Sequence, residues 1–172
     1  NMDYKKWNHI LNSNLWELEL PYAAIGRLSY HYLPSHLKQC FAYCSIFPND
    51  YEFKKEDVAL LWMAEGLVPQ SGDGKRMEEV AMQYFDELLS RSLFQRSGTK
   101  SSVFTMHDLI NDLAMLVSKE ICGRLVGEES NEVPERVRRI SYIKEEFDIA
   151  PKFESLYRVK CLRTFLPLES YR

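Results

Sequence analysis

The feature that most constrains the fold is a series of short amphipathic segments that fills most of the first 122 residues. Apolar residues recur within them at helical spacing, and prolines, glycines or polar turns separate one segment from the next. The spacing predicts helices over 7–18, 23–33, a third beginning at Pro34, then 54–66, 77–89 and 106–121. The chain should therefore be mainly α-helical.

Local signals refine the third and fourth helices. Pro34 suits the first helical position, because its missing N–H would have no partner there in any case. Gly66 is typical of the residue that stops a helix. Between them, residues 58–64 are apolar on every side of the fourth helix, so we expect protein to surround that helix.

A β-hairpin is predicted before the last helix. Residues 92–95 and 102–105 have strand-like composition, and the polar run 96–101 joins them. The order of helices, hairpin and final helix is typical of a winged-helix domain. A polar stretch follows, and strand-like runs return at 137–143 and 162–166. We therefore place a domain boundary within 123–134.

Composition excludes several classes of protein. Over 172 residues, 45% are hydrophobic and 27% charged, which is typical of a folded globular chain. The net charge of −3 gives no basic excess for nucleic acid, and no apolar run reaches the about 18 residues of a transmembrane segment. Four scattered cysteines favour a reducing, intracellular compartment. The first six residues lack the apolar stretch of a signal peptide, and their start in mid-pattern suggests an excised fragment.

Nucleic-acid recognition is disfavoured by the charge of the candidate reading helix, 77–89. A reading helix presents basic and amide side chains to the major groove. This one presents mostly acids, which phosphate would repel: Glu78, Glu79, Gln83, Asp86 and Glu87.

Metal binding and catalysis are also disfavoured. His36, Cys40 and Cys44 stand four residues apart on one helix, but a structural zinc site typically takes further ligands from a second element. The glycines form no phosphate-binding loop, and no nucleophile or acid–base constellation stands out. We predict no metal site, no catalytic residues and no enzymatic activity of the chain by itself.

The segment from Thr105 to Asp108 supports two interpretations. Thr105 could cap the last helix with Asp108 at its third position, a purely structural role. Alternatively, His107 could be a switchable hydrogen-bond donor at the positive end of the helix, where it would contact a phosphate. The residues alone leave both interpretations open.

Three motifs carry a family resemblance. Residues 28–48 read LSYHYLPSHLKQCFAYCSIFP, residues 61–66 read LWMAEG, and residues 106–109 read MHDL. In this order and spacing they resemble the end of the nucleotide-binding region of plant NB-LRR disease-resistance proteins, and the run YFDELLSRS at 84–92 is similar to the coiled-coil subclass. The resemblance implies four regions: the end of a helical domain (1–24), a winged helix (25–122), a linker (123–134) and the start of leucine-rich repeats (135–172).

The resemblance implies an intracellular immune receptor that switches between ADP-bound and ATP-bound states. ADP or ATP would be bound mainly by an upstream domain, with His107 contacting the ADP β-phosphate, Asp108 supporting His107 and the helix start, and Met106 completing the motif. Implied partners are the nucleotide-binding and repeat domains of the same receptor, a pathogen effector or guarded host protein, and further receptor copies on activation. The location would be cytoplasmic, with membrane association on activation. The alternative is a winged helix that binds protein or nucleic acid without nucleotide control.

Overall fold

The computed structural model describes residues 22–70, 74–98, 102–125, 133–145 and 150–169. The helix predicted over 7–18 lies outside these residues. The helices are α1 (Tyr22–His31), α2 (Ser35–Tyr43), α3 (Lys55–Ala64), α4 (Met77–Ser90) and α5 (Asp108–Ser118). The strands are β1 (Phe53–Lys54), β2 (Gln95–Arg96), β3 (Val103–Thr105), β4 (Cys122–Leu125), β5 (Arg139–Ile143) and β6 (Thr164–Leu168). Two 3-10 segments complete the described elements, Cys44–Ile46 and Ala150–Arg158.

The predicted fold class, a mainly α winged helix, is confirmed. The hairpin pairs β2 with β3 in antiparallel register, and β1 pairs with the other side of β3 to give the order β1-β3-β2. The first hairpin strand is shorter than predicted, because Leu93 and Phe94 turn into the core before pairing begins. β1 was not predicted at all; its two residues are too few for a periodic signal.

Helix boundaries need two corrections. Pro34 is the N-cap residue of α2 rather than its first helical residue, since its ψ of 154° is extended. The last helix begins at Asp108 and not at Met106, because β3 keeps the chain extended to Thr105 and His107 is itself the cap. At the other end, Gly66 follows α3 with a positive φ of 70°, as its predicted role as a stop requires.

The expectation that protein surrounds α3 is wrong. Val58, Ala59 and Trp62 are buried on one face, whereas Leu60 is 57% exposed. The physical reason is that α3 packs at the edge of the domain with α4 on one side, so a fully apolar stretch still leaves one face in solvent. The buried face meets an aromatic cluster formed by Phe53, Phe85, Phe94 and Phe104.

A parallel three-stranded sheet, ordered β4-β5-β6, follows the winged helix. The strand-like runs at 137–143 and 162–166 correspond to β5 and β6, shifted by two residues at their starts. Residues 123–125, which we assigned to the linker, lie in β4; the run is short and contains a glycine, so it carries little strand signal. The division of the chain into domains otherwise stays a prediction.

The register gives the parallel sheet two different faces. Cys122, Arg139 and Thr164 are side by side in the ladder, followed by Arg124, Ser141 and Leu166. Side chains of this inner face contact the winged helix, chiefly the 3-10 segment Cys44–Ile46. The other face packs with the 3-10 helix Ala150–Arg158 in a small second core. The inner face thereby brings charged side chains close to the start of α5.

Candidate functional site

The segment Thr105–Asp108 joins the end of β3 to the start of α5, at the surface of the winged helix. Met106 is 2% exposed and packs in the main core, so its side chain anchors the segment from below. The next two side chains, His107 and Asp108, are exposed. Burial of Met106 therefore forces its neighbours outward, which presents an imidazole and a carboxylate at the helix start.

His107 caps α5 in two ways. Its backbone is extended, and its Nδ1 accepts a hydrogen bond from the Leu109 N–H over 3.3 Å. Its carbonyl oxygen accepts from the N–H groups of Ile110 and Asn111 over 2.8 and 2.9 Å. One residue thus satisfies three amide donors of the first turn, which would otherwise lack partners.

The cap predicted at Thr105 is therefore wrong. Thr105 lies in β3, and its hydroxyl donates to the Met106 carbonyl over 3.5 Å. Asp108 is the first helical residue rather than the third. Its carboxylate makes no hydrogen bond or ion pair with any other residue that the structure describes, and it interacts with the positive helix end through its charge.

The cap also determines which nitrogen of His107 can donate. An imidazole that accepts at Nδ1 in its neutral form carries its proton on Nε2. The exposed ring therefore has an Nε2–H donor at the positive end of an 11-residue helix. This arrangement suits one contact to an anionic oxygen.

A nucleotide phosphate fits this helix start as a single contact and not as a cradle. Three first-turn amides already donate to His107, so they are not available to phosphate oxygens. The residues present offer the imidazole donor and the positive helix field.

A buried polar network lies beneath this surface, and the sequence analysis did not single it out. Asn111 is fully buried; its Nδ2 donates to the Phe47 carbonyl over 2.9 Å, and its Oδ1 accepts from Arg124 Nη2 over 2.6 Å. Arg124 Nε also donates to the Ser45 carbonyl over 2.6 Å. Burial lowers the pKa of Arg124 to about 10, although the charge of Asp112 opposes the shift. The available sequence signal was an asparagine on the apolar face of α5.

Comparison with known proteins shows which family the chain resembles. The family described as Disease resistance protein Winged helix domain matches residues 46–114, a stretch that includes the three-stranded sheet and the start of α5. The putative disease resistance RPP13-like protein 1 of Arabidopsis thaliana is 45% identical over 166 residues, covering 95% of this chain and 16% of that protein. The chain belongs to the plant disease resistance protein family. The matched family model covers residues within the winged helix and none of the parallel sheet.

Two further members of the disease resistance family show the same relation. Disease resistance protein RGA2 of Solanum bulbocastanum is 44% identical over 64% of the chain and 12% of its own length. Disease resistance protein RPM1 of Arabidopsis thaliana is 37% identical over 66% of the chain and 13% of its own length. The chain spans a sixth or less of the length of these three relatives.

The disease resistance winged helix exposes an acidic surface on α4, as its sequence predicts. Glu78, Glu79 and Asp86 are exposed, and Glu87 is half-buried. Several of these acids form ion pairs at the surface, such as Asp86 with Lys55 at 2.6 Å and Glu87 with Arg91 at 2.8 Å. This surface presents acidic side chains, whereas a DNA-reading helix presents basic and amide side chains.

His36 and Cys40 lie on α2, whereas Cys44 begins the 3-10 segment that follows it. His36 stacks on Tyr84 with ring centroids 4.6 Å apart, whereas Cys40 and Cys44 are buried in the core. Cys44 Sγ donates to the Cys40 carbonyl over 3.4 Å. Among the described residues, no group of three or more potential ligands could hold a metal ion, and no helix is long and apolar enough to cross a membrane.

Proposed function

We propose that this segment is the regulatory latch of an ADP/ATP-controlled switch in a plant immune receptor, and that His107 contacts the β-phosphate of bound ADP. The observation that carries the proposal is the His107 cap. Its Nδ1 bond to the Leu109 amide fixes the ring at the helix start and leaves Nε2 as the donor nitrogen of the neutral, exposed imidazole. The family membership supports a receptor context for this element.

Each residue of the motif has a separate task in this proposal. Met106 anchors the segment in the core, His107 donates from Nε2, and Asp108 stabilises the positive helix start. ADP supplies the anionic oxygen and is held mainly by a nucleotide-binding domain. A hydrogen bond to a charged group contributes about 1.5–3 kcal/mol, and each 1.4 kcal/mol is a factor of about ten in population. His107 can therefore favour the ADP-bound state by roughly ten- to a hundredfold.

The remaining regions have roles that follow from this context. We infer that 1–24 ends a helical domain, 25–122 contains the winged helix, the part of 123–134 after β4 connects it to the next region, and 135–172 begins leucine-rich repeats. A parallel strand with a 3-10 segment in the connection is one form of such a repeat, which supports the last assignment. Receptor partners would be its own nucleotide-binding and repeat domains, a pathogen effector or guarded host protein, and other receptor copies, in the cytoplasm or at a membrane after activation.

A chimeric receptor tests the latch. This chain would replace the matching segment of the RPP13-like relative, and ADP retained after purification would be measured with cell-death output and protein abundance. His107→Ala should lower retained ADP by tenfold or more and cause output without pathogen. Asp108→Val should act in the same direction, since it removes the charge that stabilises the helix start. Glu120→Val, at an exposed acid just after the other end of the same helix, is the matched control.

Normal ADP retention in both variants, with reduced abundance and no spontaneous output, would contradict the latch and leave the motif as a helix cap. The isolated chain supplies a second test, because it offers one phosphate contact and no cradle. We expect calorimetric titration to show ADP and ATP affinities weaker than micromolar and no ATP hydrolysis. Salt-sensitive nanomolar binding to a DNA duplex would instead favour the alternative function as a nucleic-acid-binding module.

A further inference from the structure

We propose that Arg124 of the parallel sheet is a positioning residue for His107, acting through Asn111 on the first turn of α5. The relevance of this contact to nucleotide control rests on the proposed function, whereas the contact itself does not. Arg124 lies in β4, outside the stretch 46–114 that matches the winged-helix family. The inference therefore concerns how the region after the winged helix affects the position of His107, the candidate phosphate contact.

The contact forms a continuous path of three residues. Arg124 Nη2 donates to Asn111 Oδ1 over 2.6 Å, and the Asn111 N–H donates to the His107 carbonyl over 2.9 Å. Asn111 lies one helical turn after His107, so its position sets the position of the cap. A shift of β4 relative to α5 would consequently move Asn111 and tilt the first turn that His107 closes.

The environment of Asn111 makes this path specific. Asn111 is fully buried, and its two side-chain groups are engaged by Arg124 on one side and by the Phe47 carbonyl on the other. Arg124 in turn holds the Ser45 carbonyl in the 3-10 segment after α2. Loss of the guanidinium would leave two buried acceptors, on Asn111 and Ser45, without their partner. We expect this loss to destabilise the first turn of α5 more than the rest of the core.

Amide hydrogen exchange in the 172-residue chain measures the effect. In Arg124→Met, exchange of the Leu109, Ile110 and Asn111 amides should accelerate about tenfold relative to the core amides of α4. This ratio removes any global loss of stability, which would accelerate both sets alike. Arg124→Lys keeps the charge but loses the two-pronged contact, so its ratio should lie between wild type and Arg124→Met.

Three further measurements complete the design. Arg138→Met, an exposed arginine just before the neighbouring strand, should leave the ratio unchanged. Asn111→Leu combined with Arg124→Met should raise the ratio no more than Asn111→Leu alone, because both act along one path. Imidazole ¹⁵N shifts of His107 should show reduced occupancy of the Nδ1 hydrogen bond in Arg124→Met.

An unchanged ratio in both Arg124 variants, or additive effects in the double variant, would overturn the proposal. If Arg124→Met does not fold, Arg124→Lys alone decides by the same ratio. In the chimeric receptor, Arg124→Lys should lower ADP retention, and its effect should not add to that of His107→Ala. If amide exchange changes in the Arg124 variants but ADP retention is unchanged in His107→Ala, the proposed function is refuted and the positioning role of Arg124 is supported.

Discussion

Trp62 and Leu60 are two residues apart on α3 and have opposite environments. Trp62 is fully buried against Phe85, with ring centroids 6.2 Å apart, whereas Leu60 is mostly in solvent. Both belong to one apolar run, so composition cannot separate them. The difference comes from the neighbouring elements, chiefly α4 and also β1, which cover only one side of the helix.

We expect Trp62→Ala to lower the free energy of unfolding by about 3–5 kcal/mol, because it leaves a large cavity in the core. Leu60→Ala should change it by less than about 0.5 kcal/mol, since the side chain is already hydrated. Urea unfolding of the two variants measures the difference. Similar losses for both would show that α3 is covered on its second face in solution.

The buried thiol of Cys40 should make stability fall at alkaline pH. Burial raises the pKa of Cys40 from 9.0 to about 12, despite the opposing charge of Arg139. Between these values the unfolded chain releases the proton and the folded chain keeps it, so the unfolding free energy decreases as pH rises, by up to about 1.4 kcal/mol per pH unit. The contribution is complete below pH 9 and is lost as the pH approaches 12.

Chemical unfolding between pH 8 and 10 measures this slope, in a range that limits the contribution of tyrosines. Cys40→Ala should reduce the decrease, because alanine has no proton to release. Cys161→Ala should not change it, because Cys161 is exposed. A slope that is the same in wild type and Cys40→Ala would show that Cys40 ionises equally in both states.

Residue identity at the candidate site could be predicted from the sequence, but its hydrogen bonds could not. The motif 106–109 and its place at a helix start were predicted from spacing and resemblance. One of the two interpretations placed the cap at Thr105, because threonine is favoured at helix N-caps, yet pairing with Gln95 of β2 holds Thr105 in a strand. Long-range strand pairing overrode a local preference, and the cap moved to His107.

At the scale of elements, α1 packs closely on α5 at Gly26. A Cβ atom built on Gly26 would lie 2.4 Å from Ile110 Cδ1 and 4.0 Å from Leu113 Cδ2. Ile110 lies in the first turn of α5, three residues after His107. The absence of a side chain at Gly26 therefore lets α1 press against the helix that carries the candidate contact.

Graded substitutions at Gly26 test this packing. Gly26→Ala should change stability by less than about 1 kcal/mol, because the tip of Ile110 can rotate away and alanine favours the helix. Gly26→Leu should cost about 1–3 kcal/mol, because its bulk forces the helices apart. Adding Ile110→Ala to Gly26→Leu should recover part of this loss. Thermal unfolding measures all three, and a Gly26→Leu variant as stable as wild type would contradict the close packing.

Element prediction succeeded where periodicity was long and failed where pairing was non-local. Within the described residues, the helices and the second hairpin strand were found near their observed positions, because apolar spacing over several turns is a strong local signal. β1 has two residues and β4 contains Gly123, and both are strands only because distant segments pair with them. The parallel pairing of β4, β5 and β6 had no local signature at all.

At the scale of the whole molecule, the parallel sheet docks on the winged helix through polar contacts. The Cys122 thiol and the Arg124 guanidinium donate to carbonyls at the end of α2 and in the following 3-10 segment, and the Ser141 hydroxyl donates to the Ile46 carbonyl. Carbonyls at a helix end accept few bonds within the helix, so they can accept from a neighbouring element. Leu166 and Leu168 add apolar contact with the main core. The two regions therefore share one interior.

The strongest charged contact in this interface joins Glu65, just after α3, to Arg139 of β5. Arg139 Nε and Glu65 Oε2 are 2.6 Å apart, and the side chains are 13% and 6% exposed. Thr164 of β6 donates to the other oxygen of Glu65. Burial is the largest single effect and lowers the pKa of Arg139, but the hydrogen bond and charge of Glu65, together with Cys122, outweigh it and raise the pKa. The pair is thus satisfied on both sides, and each partner depends on the other.

Removal of one partner should therefore cost far more than removal of both. Glu65→Gln leaves a buried arginine without its counter-charge, and we expect a loss of about 3–5 kcal/mol. Glu65→Leu with Arg139→Met removes both charges and should recover much of it. Glu79→Gln breaks an exposed pair, in which the side chain of Arg76 is 77% exposed and that of Glu79 50%. We expect it to lower the free energy of unfolding by at most about 1 kcal/mol. Denaturant unfolding can be monitored by tryptophan fluorescence and by exchange of the β5 amides, and both probes should show one common transition in wild type. If Glu65→Gln and Glu79→Gln lower the free energy of unfolding equally, the docking of the sheet does not depend on the pair of Glu65 and Arg139.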